Sequence, residues 1–355
     1  MDINLTCPIN QLGYGIVGTN VFLNLAKENN VSLWPLGPME ADEKIHDLIK
    51  KSLDNSKYFK YDAPSIKIWH QFEMAGHPGN GKKIGFTFFE TSKLKDNEIH
   101  HLNFLDKIVV CSDWAKNVLI NCKIPSEKIV VTNLGVDNSL FNEATQDNSK
   151  PTTKIVCVGK WEIRKGHDLI LDILEKTFDV DDDFKLIMCC SNPFLSEEEQ
   201  KYWISIFEKS KFFDKIIVLK DRLKSQKEVH HLMSSADVGI FPYRAEAWNL
   251  ELSEMLSIGK NCIATNYSGP THFAKDAGCT LIDIDGMESA YDGKWFDGHS
   301  EWAKLDKTYV KSFSEALRSI HESKKNGILK TNIDGINYFK NNTWEKTVKN
   351  ILSAI

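Results

Sequence analysis

Apolar and polar positions alternate in blocks along this chain. Short apolar runs at residues 3–9, 31–36, 65–71, 83–89, 107–111 and 128–132 read as strands. Residues 19–29, 41–52, 96–105 and 113–121, lying between them, read as helices. A polar stretch, NEATQDNSKPTT at 142–153, has almost no large apolar residue and contains a proline, so it reads as an interdomain linker. The blocks then restart with strand KIVCVG (154–159), a helix at 166–178 and strand FKLIMCC. A helix at 197–209, strand KIIVLK, a helix at 227–235, strand DVGIFPY, a helix at 250–258 and strand NCIAT follow. Strands alternating with helices predict parallel sheets covered on both faces. The expected fold class is therefore α/β, with two doubly wound Rossmann-like domains facing across a cleft. In open α/β sheets, ligands bind outside the carboxyl ends of the strands. Residues that directly follow a strand become the site candidates.

Composition narrows the classes. The chain has 355 residues, 42% hydrophobic and 26% charged, with a formal net charge of -5. That balance does not announce a basic partner-binding surface. No apolar run approaches the roughly 18 residues that span a bilayer. No signal peptide is visible at the start of the sequence, so the expected location is cytoplasmic, without stable membrane insertion. The 8 cysteines sit mostly in apolar runs such as IVCVG and LIMCCS, with no C-x-x-C pair, and read as buried free thiols.

Two segments of the second half carry the chemistry. After DVGIFPY comes RAEAWNLELSEMLSIG, in which Glu246 and Glu254 are separated by seven residues. The amides of Trp248, Asn249 and Leu250 open the following helix, and a helix N-terminus is a ready anion site. A diphosphate held there would have a carboxylate on each side for ribose and sugar hydroxyls. After KIVCVG comes GKWEIRKG, which places Lys160, Arg164 and Lys165 between Gly159 and Gly166. Cations there would neutralise charge growing on a departing diphosphate.

These residues resemble the donor-binding half of a retaining glycosyltransferase of the GT-B type, in the fourth or group 1 family. That family carries Gly-Arg or Gly-Lys followed by Lys-Gly after the first strand of its donor domain, here Gly159-Lys160 and Lys165-Gly166. Its Glu, seven residues, Glu pattern is here Glu246 and Glu254. NLGVD with Phe141, SSADVGIFPY and NNTWE at 341–345 resemble further family segments in the family's order. Lys160 stands where arginine is common, and lysine lacks the planar fork.

The resemblance implies an acceptor-binding domain over 1–148, a donor-binding domain over 149–337 and a helix over 338–355 that crosses back to the first. It implies Lys160, Lys165, Glu246 and His70 as catalytic. Donor binding would fall to Gly13, Gly15, Gly159, Arg164, Trp248, Asn249, Leu250 and Glu254, with Glu90 on the acceptor side. No metal and no cofactor beyond the nucleotide-sugar co-substrate is implied. Transfer would be front-face, the leaving phosphate helping to deprotonate the incoming hydroxyl, and domain closure would exclude water.

The glycine run NQLGYGIVGTN is the remaining motif. Its Gly13-x-Gly15-x-x-Gly18 spacing suits a dinucleotide loop, and the alternative is an NAD-dependent oxidoreductase. That reading fits worse, because Asn10-Gln11-Leu12 intervene after the strand and no acid closes the second strand. The resemblance instead implies that residues 13–18 form a loop facing the donor phosphate.

The expected acceptor is a saccharide. IWHQFEMAG and IGFTFFETSKL resemble phage-type members, and the alternative is transfer to hydroxymethylated cytosine in DNA, in the host cytoplasm. Lys82, Lys83, Lys93 and Lys95 would then meet phosphates. A non-catalytic sugar-binding module is a third class, which the paired glutamates and lysines argue against. Asp179-Val180-Asp181 spells the metal-binding Asp-x-Asp but precedes a strand, and it is read as a solvated loop.

Overall fold

The computed structural model describes residues 1–144 and 146–355. The chain divides into two compact units, Met1–Gly135 with Asn342–Ile355, and Val136–Asn341.

The first unit contains β1 (Asp2–Cys7), α1 (Gly13–Ala26), β2 (Asn30–Pro35), α2 (His46–Ser56), β3 (Ser65–Ile68), β4 (Lys83–Phe86), α3 (Asp96–Asn103), β5 (Lys107–Val110), α4 (Asp113–Asn121) and β6 (Ile129–Val131). Its strands form one parallel sheet in the order β2-β1-β3-β4-β5-β6. Strands buried on both faces read as continuous apolar runs. Ile3, Leu5, Ile66, Ile68, Ile84 and Phe86 are all at 1% exposure or less.

The second unit contains β7 (Thr153–Val158), α5 (Ile170–Thr177), β8 (Phe184–Cys189), α6 (Glu197–Glu208), β9 (Ile216–Val218), α7 (Gln226–Ser235), β10 (Val238–Phe241), α8 (Leu250–Ser257), β11 (Asn261–Thr265) and β12 (Thr280–Ile282). An antiparallel hairpin of β13 (Met287–Tyr291) and β14 (Asp297–Ala303) follows, then α9 (Lys307–Lys325) and α10 (Ile333–Lys340). The main sheet is parallel, in the order β12-β11-β10-β7-β8-β9. A last helix, α11 (Trp344–Leu352), belongs to the first unit and packs on α1. Gly135 lets it approach, because a Cβ there would stand 2.0 Å from the Trp344 amide nitrogen.

Both sheets reverse direction at one place, between β1 and β3 in the first and between β7 and β10 in the second. A crevice outside the carboxyl ends at such a switch point is where open α/β sheets take ligands.

Three local expectations are corrected. The glycine run is helix, not loop, since α1 already starts at Gly13. A Cβ on Gly15 would lie 2.1 Å from Asn10 Oδ1, and one on Gly18 would lie 2.1 Å from the Pro8 carbonyl oxygen. These two glycines therefore let the helix pack onto the turn after β1. The polar stretch at 142–153, of which Thr145 lies outside the described residues, runs along the second unit. Ala144 N donates to Ile258 O at 2.9 Å, Asn148 Nδ2 donates to Leu329 O at 2.9 Å, and Gln146 bonds Asp237. The change of unit falls earlier, at Gly135. Finally, the runs at 65–71 and 83–89 leave the sheet after Ile68 and Phe86, so Trp69, His70 and Phe88 stand in carboxyl-end loops.

Candidate functional site

The segment after β7 and the segment after β10 flank the second switch point, and their charged side chains meet there. Lys165 Nζ lies 2.7 Å from Glu246 Oε1, and Arg164 Nη1 lies 3.0 Å from Glu246 Oε2. Arg164 also holds Glu162 Oε2 through Nε at 3.1 Å and Nη2 at 2.7 Å, and it donates to the Ala245 carbonyl at 2.7 Å. Lys160 Nζ completes the cluster at 3.2 Å from Glu162 Oε1. Three cations against two carboxylates leave one net positive charge at a strand end, which suits an anionic ligand.

Burial pushes the Glu246 carboxyl up, but the charges of Arg164 and then Lys165 outweigh it and hold it below the ordinary range. Burial likewise opposes ionisation of Glu162, yet Arg164, Lys160 and Lys165 bring it down to about 2. Burial also pulls the Lys165 ammonium down, while Glu246 and Glu251 hold it above its usual value. All three groups are charged at neutral pH.

Backbone geometry lets this happen. Gly159 has φ +146, and a Cβ there would press on Lys165 Cδ at 3.0 Å, so glycine leaves the lysine its course to Glu246. Gly166 has φ +72, and its Cβ would strike the Pro242 carbonyl oxygen at 1.8 Å. The Glu246 loop is buttressed from behind. Glu246 N donates to Ser268 Oγ at 2.9 Å, and Gly269 N donates to Glu246 O at 2.9 Å. Ser268 (φ 60) and Asn249 (φ 70) are two of three non-glycine residues with positive φ among the described residues. Strained backbone of this kind clusters at functional sites.

Asn249 is the N-cap of α8, and its side chain accepts from Leu252 N at 3.0 Å. Leu250 is the first helical residue. Trp248 is buried against Phe273, with ring centroids 4.4 Å apart, and its Nε1 donates to Ser253 Oγ at 3.3 Å. Its side chain is packing, which leaves its backbone as the candidate anion donor. Glu254 is buried within α8. Burial first, and the Glu251 charge second, push its carboxyl well above the ordinary range, in contrast to Glu246.

In the first unit, the candidates gather at the other switch point. His70 follows β3 and packs on Tyr14 of α1, with centroids 4.6 Å apart, and it stacks on Phe72 at 5.1 Å. Tyr14 donates its hydroxyl to Phe88 O at 2.9 Å, and the charge of Glu90 adds to burial in raising its pKa. Gly13 begins α1 beside Tyr14, with open space where a Cβ would point. Gly15 is enclosed and faces Asn10. Lys82 and Lys83 stand at the amino end of β4, the edge opposite this cluster, and Lys82 Nζ bonds Ile355 O at 2.8 Å. Lys95 is the N-cap of α3.

Sequence reading passed over several residues of the second site. Glu162 lies inside GKWEIRKG, but spacing did not reveal that it would neutralise Lys160 and Arg164. Arg244 donates to Asp168 at 2.9 and 2.8 Å, to Glu288 at 2.9 Å and to the Ile163 carbonyl at 2.6 Å, so it ties three segments together. One group of potential metal ligands also occurs among the described residues. Cys157, His167 and Cys190 bring donor atoms within 4.8 Å of one another, all buried. They come from β7, from the turn before α5 and from the residue that follows β8, so no sequence spacing announces them. Glu162 N donates to His167 Nδ1 at 3.1 Å. That bond puts the ring proton on Nε2, 3.6 Å from Cys190 Sγ. The imidazole thus presents an N–H to the thiols instead of a lone pair.

The fold has counterparts. Residues 141–290 match the family described as glycosyl transferases group 1. Anabaena HepE in complex with UDP and glucose superposes with a TM-score of 0.71 at 13% identity, covering 100% of both chains. The fold is GT-B. Sucrose-phosphate synthase from Thermosynechococcus elongatus shares it, with a TM-score of 0.68 at 12% identity over 99% of this chain and 98% of that one. WaaG, a glycosyltransferase involved in lipopolysaccharide biosynthesis, shares it with a TM-score of 0.63 at 12% identity over 99% and 98% of the two chains. Among curated proteins, a putative glycosyltransferase 45 from Sulfolobus islandicus filamentous virus is 21% identical over 207 residues, 55% of this chain. The match spans about half of that relative, 52% of its length. No helix of this GT-B chain is long and apolar enough to cross a membrane, among the described residues.

Proposed function

We propose that this protein is a retaining, metal-independent glycosyltransferase that moves a sugar from a nucleotide-diphosphate sugar to a hydroxyl of a saccharide acceptor. The observation that carries the reading is the convergence of Lys160, Arg164 and Lys165 with Glu246 at the switch point of the second unit, inside the segment that matches the group 1 family. Lys165 and Lys160 neutralise the departing diphosphate, and Arg164 keeps Glu246 ionised beside it. The amides entering α8 add hydrogen bonds to the same charge. Glu246 and Glu254 accept hydrogen bonds from donor hydroxyls. His70 approaches the donor sugar, and Glu90 lies on the acceptor side.

A saccharide acceptor is favoured over a modified base in DNA. Two of the four lysines that would grip phosphates, Lys82 and Lys83, begin β4 at the edge away from the His70 cluster. The test is calorimetric titration with UDP-, GDP- and ADP-sugars, followed by incubation with oligosaccharide and DNA acceptors. NMR of the product then reads the anomeric configuration. Binding of a nucleotide sugar and a product that keeps the donor's configuration is the expected result. Failure to bind any of them, or an inverted product, refutes the reading. Salt-sensitive transfer to DNA alone replaces the saccharide acceptor with the nucleic acid.

A further inference from the structure

The β13–β14 hairpin is built firmly at its base and displays aromatic rings at its tip. Trp302 is 1% exposed, and its Nε1 donates to Glu288 Oε1 at 3.2 Å. Arg244 holds the same carboxylate at 2.9 Å, and Ala303 N donates to Arg244 O at 3.0 Å. Trp302 and Ala290 pack with Ala245, Ile163 and Phe296. Since Arg244 N also donates to Arg164 O at 2.6 Å, the hairpin rests on the loops that carry the charged cluster.

At the tip, Asp292 Oδ1 accepts from the amides of Lys294, Trp295 and Phe296 at 2.9, 2.8 and 2.9 Å. Lys294 pairs with Glu199 of α6 at 2.7 Å and covers the Trp295 ring at 5.2 Å from its centroid. The turn is therefore fixed, yet Tyr291 is 63% exposed and Trp295 44%. Rings held in water by an ordered turn signal recognition more than packing. The group 1 match ends at residue 290, so residues 291–296 fall outside the matched segment.

Charge selects the partner. Apart from Glu288, which Arg244 neutralises, residues 285–303 hold four carboxylates, Asp285, Asp292, Asp297 and Glu301, against one lysine, Lys294. Such a surface repels nucleic acid and anionic lipid. Aromatic rings beside carboxylates suit a neutral polyhydroxylated chain, whose C–H faces lie on the rings and whose hydroxyls donate to the acids. We propose that the hairpin tip, through Tyr291 and Trp295, binds a neutral saccharide and so holds the acceptor chain near the charged cluster. This rests on the glycosyltransferase reading for its purpose, while the binding can be measured without turnover.

The probes are neutral oligosaccharides of glucose, galactose, mannose and N-acetylglucosamine, with heparin fragments and a DNA duplex as comparators. Titrations use the full chain, its Tyr291→Ala/Trp295→Ala variant and its Trp295→Phe variant, with nucleotide affinity measured on each and gel filtration of the wild type and double variant. The expected result is that at least one neutral oligosaccharide binds the wild type independently of salt. Its affinity falls at least tenfold in the double variant and is largely kept by Trp295→Phe, with nucleotide affinity unchanged. The proposal is overturned if no neutral oligosaccharide binds, or if the double variant binds equally well. It is also overturned if only heparin or DNA binds, or if the two rings prove to hold a dimer. Saccharide binding without nucleotide binding would sink the glycosyltransferase reading and leave this one standing.

Discussion

Lys165 Nζ lies 2.7 Å from Glu246 Oε1, and this contact joins the segment after β7 to the segment after β10. Both side chains are at 10% exposure or less, so the pair is screened little by water. Lys165→Ala leaves Glu246 to Arg164 alone. Because Arg164 still compensates Glu246, the loss should stay below the roughly 3–5 kcal/mol of a buried charge left unpaired, and if Lys165 faces the leaving group as proposed, transfer should fall by roughly 100-fold or more. The Lys165→Ala/Glu246→Ala double variant should lose less stability than the sum of the single variants, with a coupling of about 1–3 kcal/mol. Urea unfolding of the four proteins measures it. Strict additivity would mean the contact contributes nothing, and normal turnover in Lys165→Ala would remove that residue from the site.

Glu162 makes the cluster sensitive to acid. Its folded pKa is about 2 against an ordinary 4.5. A depressed carboxyl contributes stability that is complete above the unfolded value and disappears as pH falls through the folded one. Stability should therefore drop between pH 4.5 and 2, and Glu162→Gln should flatten that part of the profile. Denaturation midpoints followed across this window decide it; identical slopes in both proteins would remove Glu162 as the source.

Glu254 behaves in the opposite sense. Its folded pKa is raised, so the folded state retains a proton that the unfolded state releases, and stability declines as pH rises above its ordinary 4.5. Glu254→Gln should thus be at least as stable as the wild type at neutral pH. If donor hydroxyls bind Glu254 as a carboxylate, donor binding must discharge that proton. Titrations in buffers of different ionisation enthalpy should give different heats for the wild type, and the difference should vanish in Glu254→Gln. The variant should also bind donor about 1.5–3 kcal/mol more weakly. Equal heats in all buffers, together with unchanged affinity, would take Glu254 out of donor binding.

The two sheets were legible because parallel strands covered on both faces give uninterrupted apolar runs, as in IVCV and GIF. The expectation of two doubly wound units holds for the same reason, since alternation of such runs with helices leaves few topologies, whereas GT-B itself was expected from the resemblance of the motifs at 159–166 and 246–254. The hairpin was not legible. Only Ser300, Trp302 and Ala303 of β14 are buried, so DGHSEWA presents no continuous apolar run. The glycine run misled because glycine disfavours helix, while the contacts of Gly15 and Gly18 that require it come from Asn10 and Pro8 on the preceding turn. Charges at 160–165 were visible as charges, but which carboxylate each would meet depends on two segments about 80 residues apart folding onto one switch point.

The glycines give a test that needs no substrate. Gly13 opens α1 with nothing near its missing Cβ, whereas Gly15 faces Asn10 Oδ1 at 2.1 Å and the Asn10 carbonyl oxygen at 2.5 Å. Gly13→Ala should be neutral or stabilise by about 0.5–1 kcal/mol through helix propensity. Gly15→Ala should destabilise by about 1–3 kcal/mol, because backbone has to move. Thermal unfolding of both variants settles the order, and equal effects would contradict the packing of α1 on the turn after β1.

The last prediction concerns metal. Asp179 and Asp181 lie in the exposed turn between α5 and β8, at the amino end of β8, whereas Lys160 follows the carboxyl end of the neighbouring parallel strand β7. Asp182 beside them is engaged by Arg318 at 2.9 Å. An ion bound in that turn would stand a strand's length from the charged cluster, too far to meet a diphosphate there. The leaving group's charge then falls to Lys160, Arg164, Lys165 and the amides entering α8. Transfer should survive excess chelator, and Asp181→Ala should turn over normally. A divalent ion that merely speeds product release is compatible with this. Complete loss of activity in chelator, restored by magnesium or manganese, would overturn the charge assignment, because it would require an ion at the diphosphate itself.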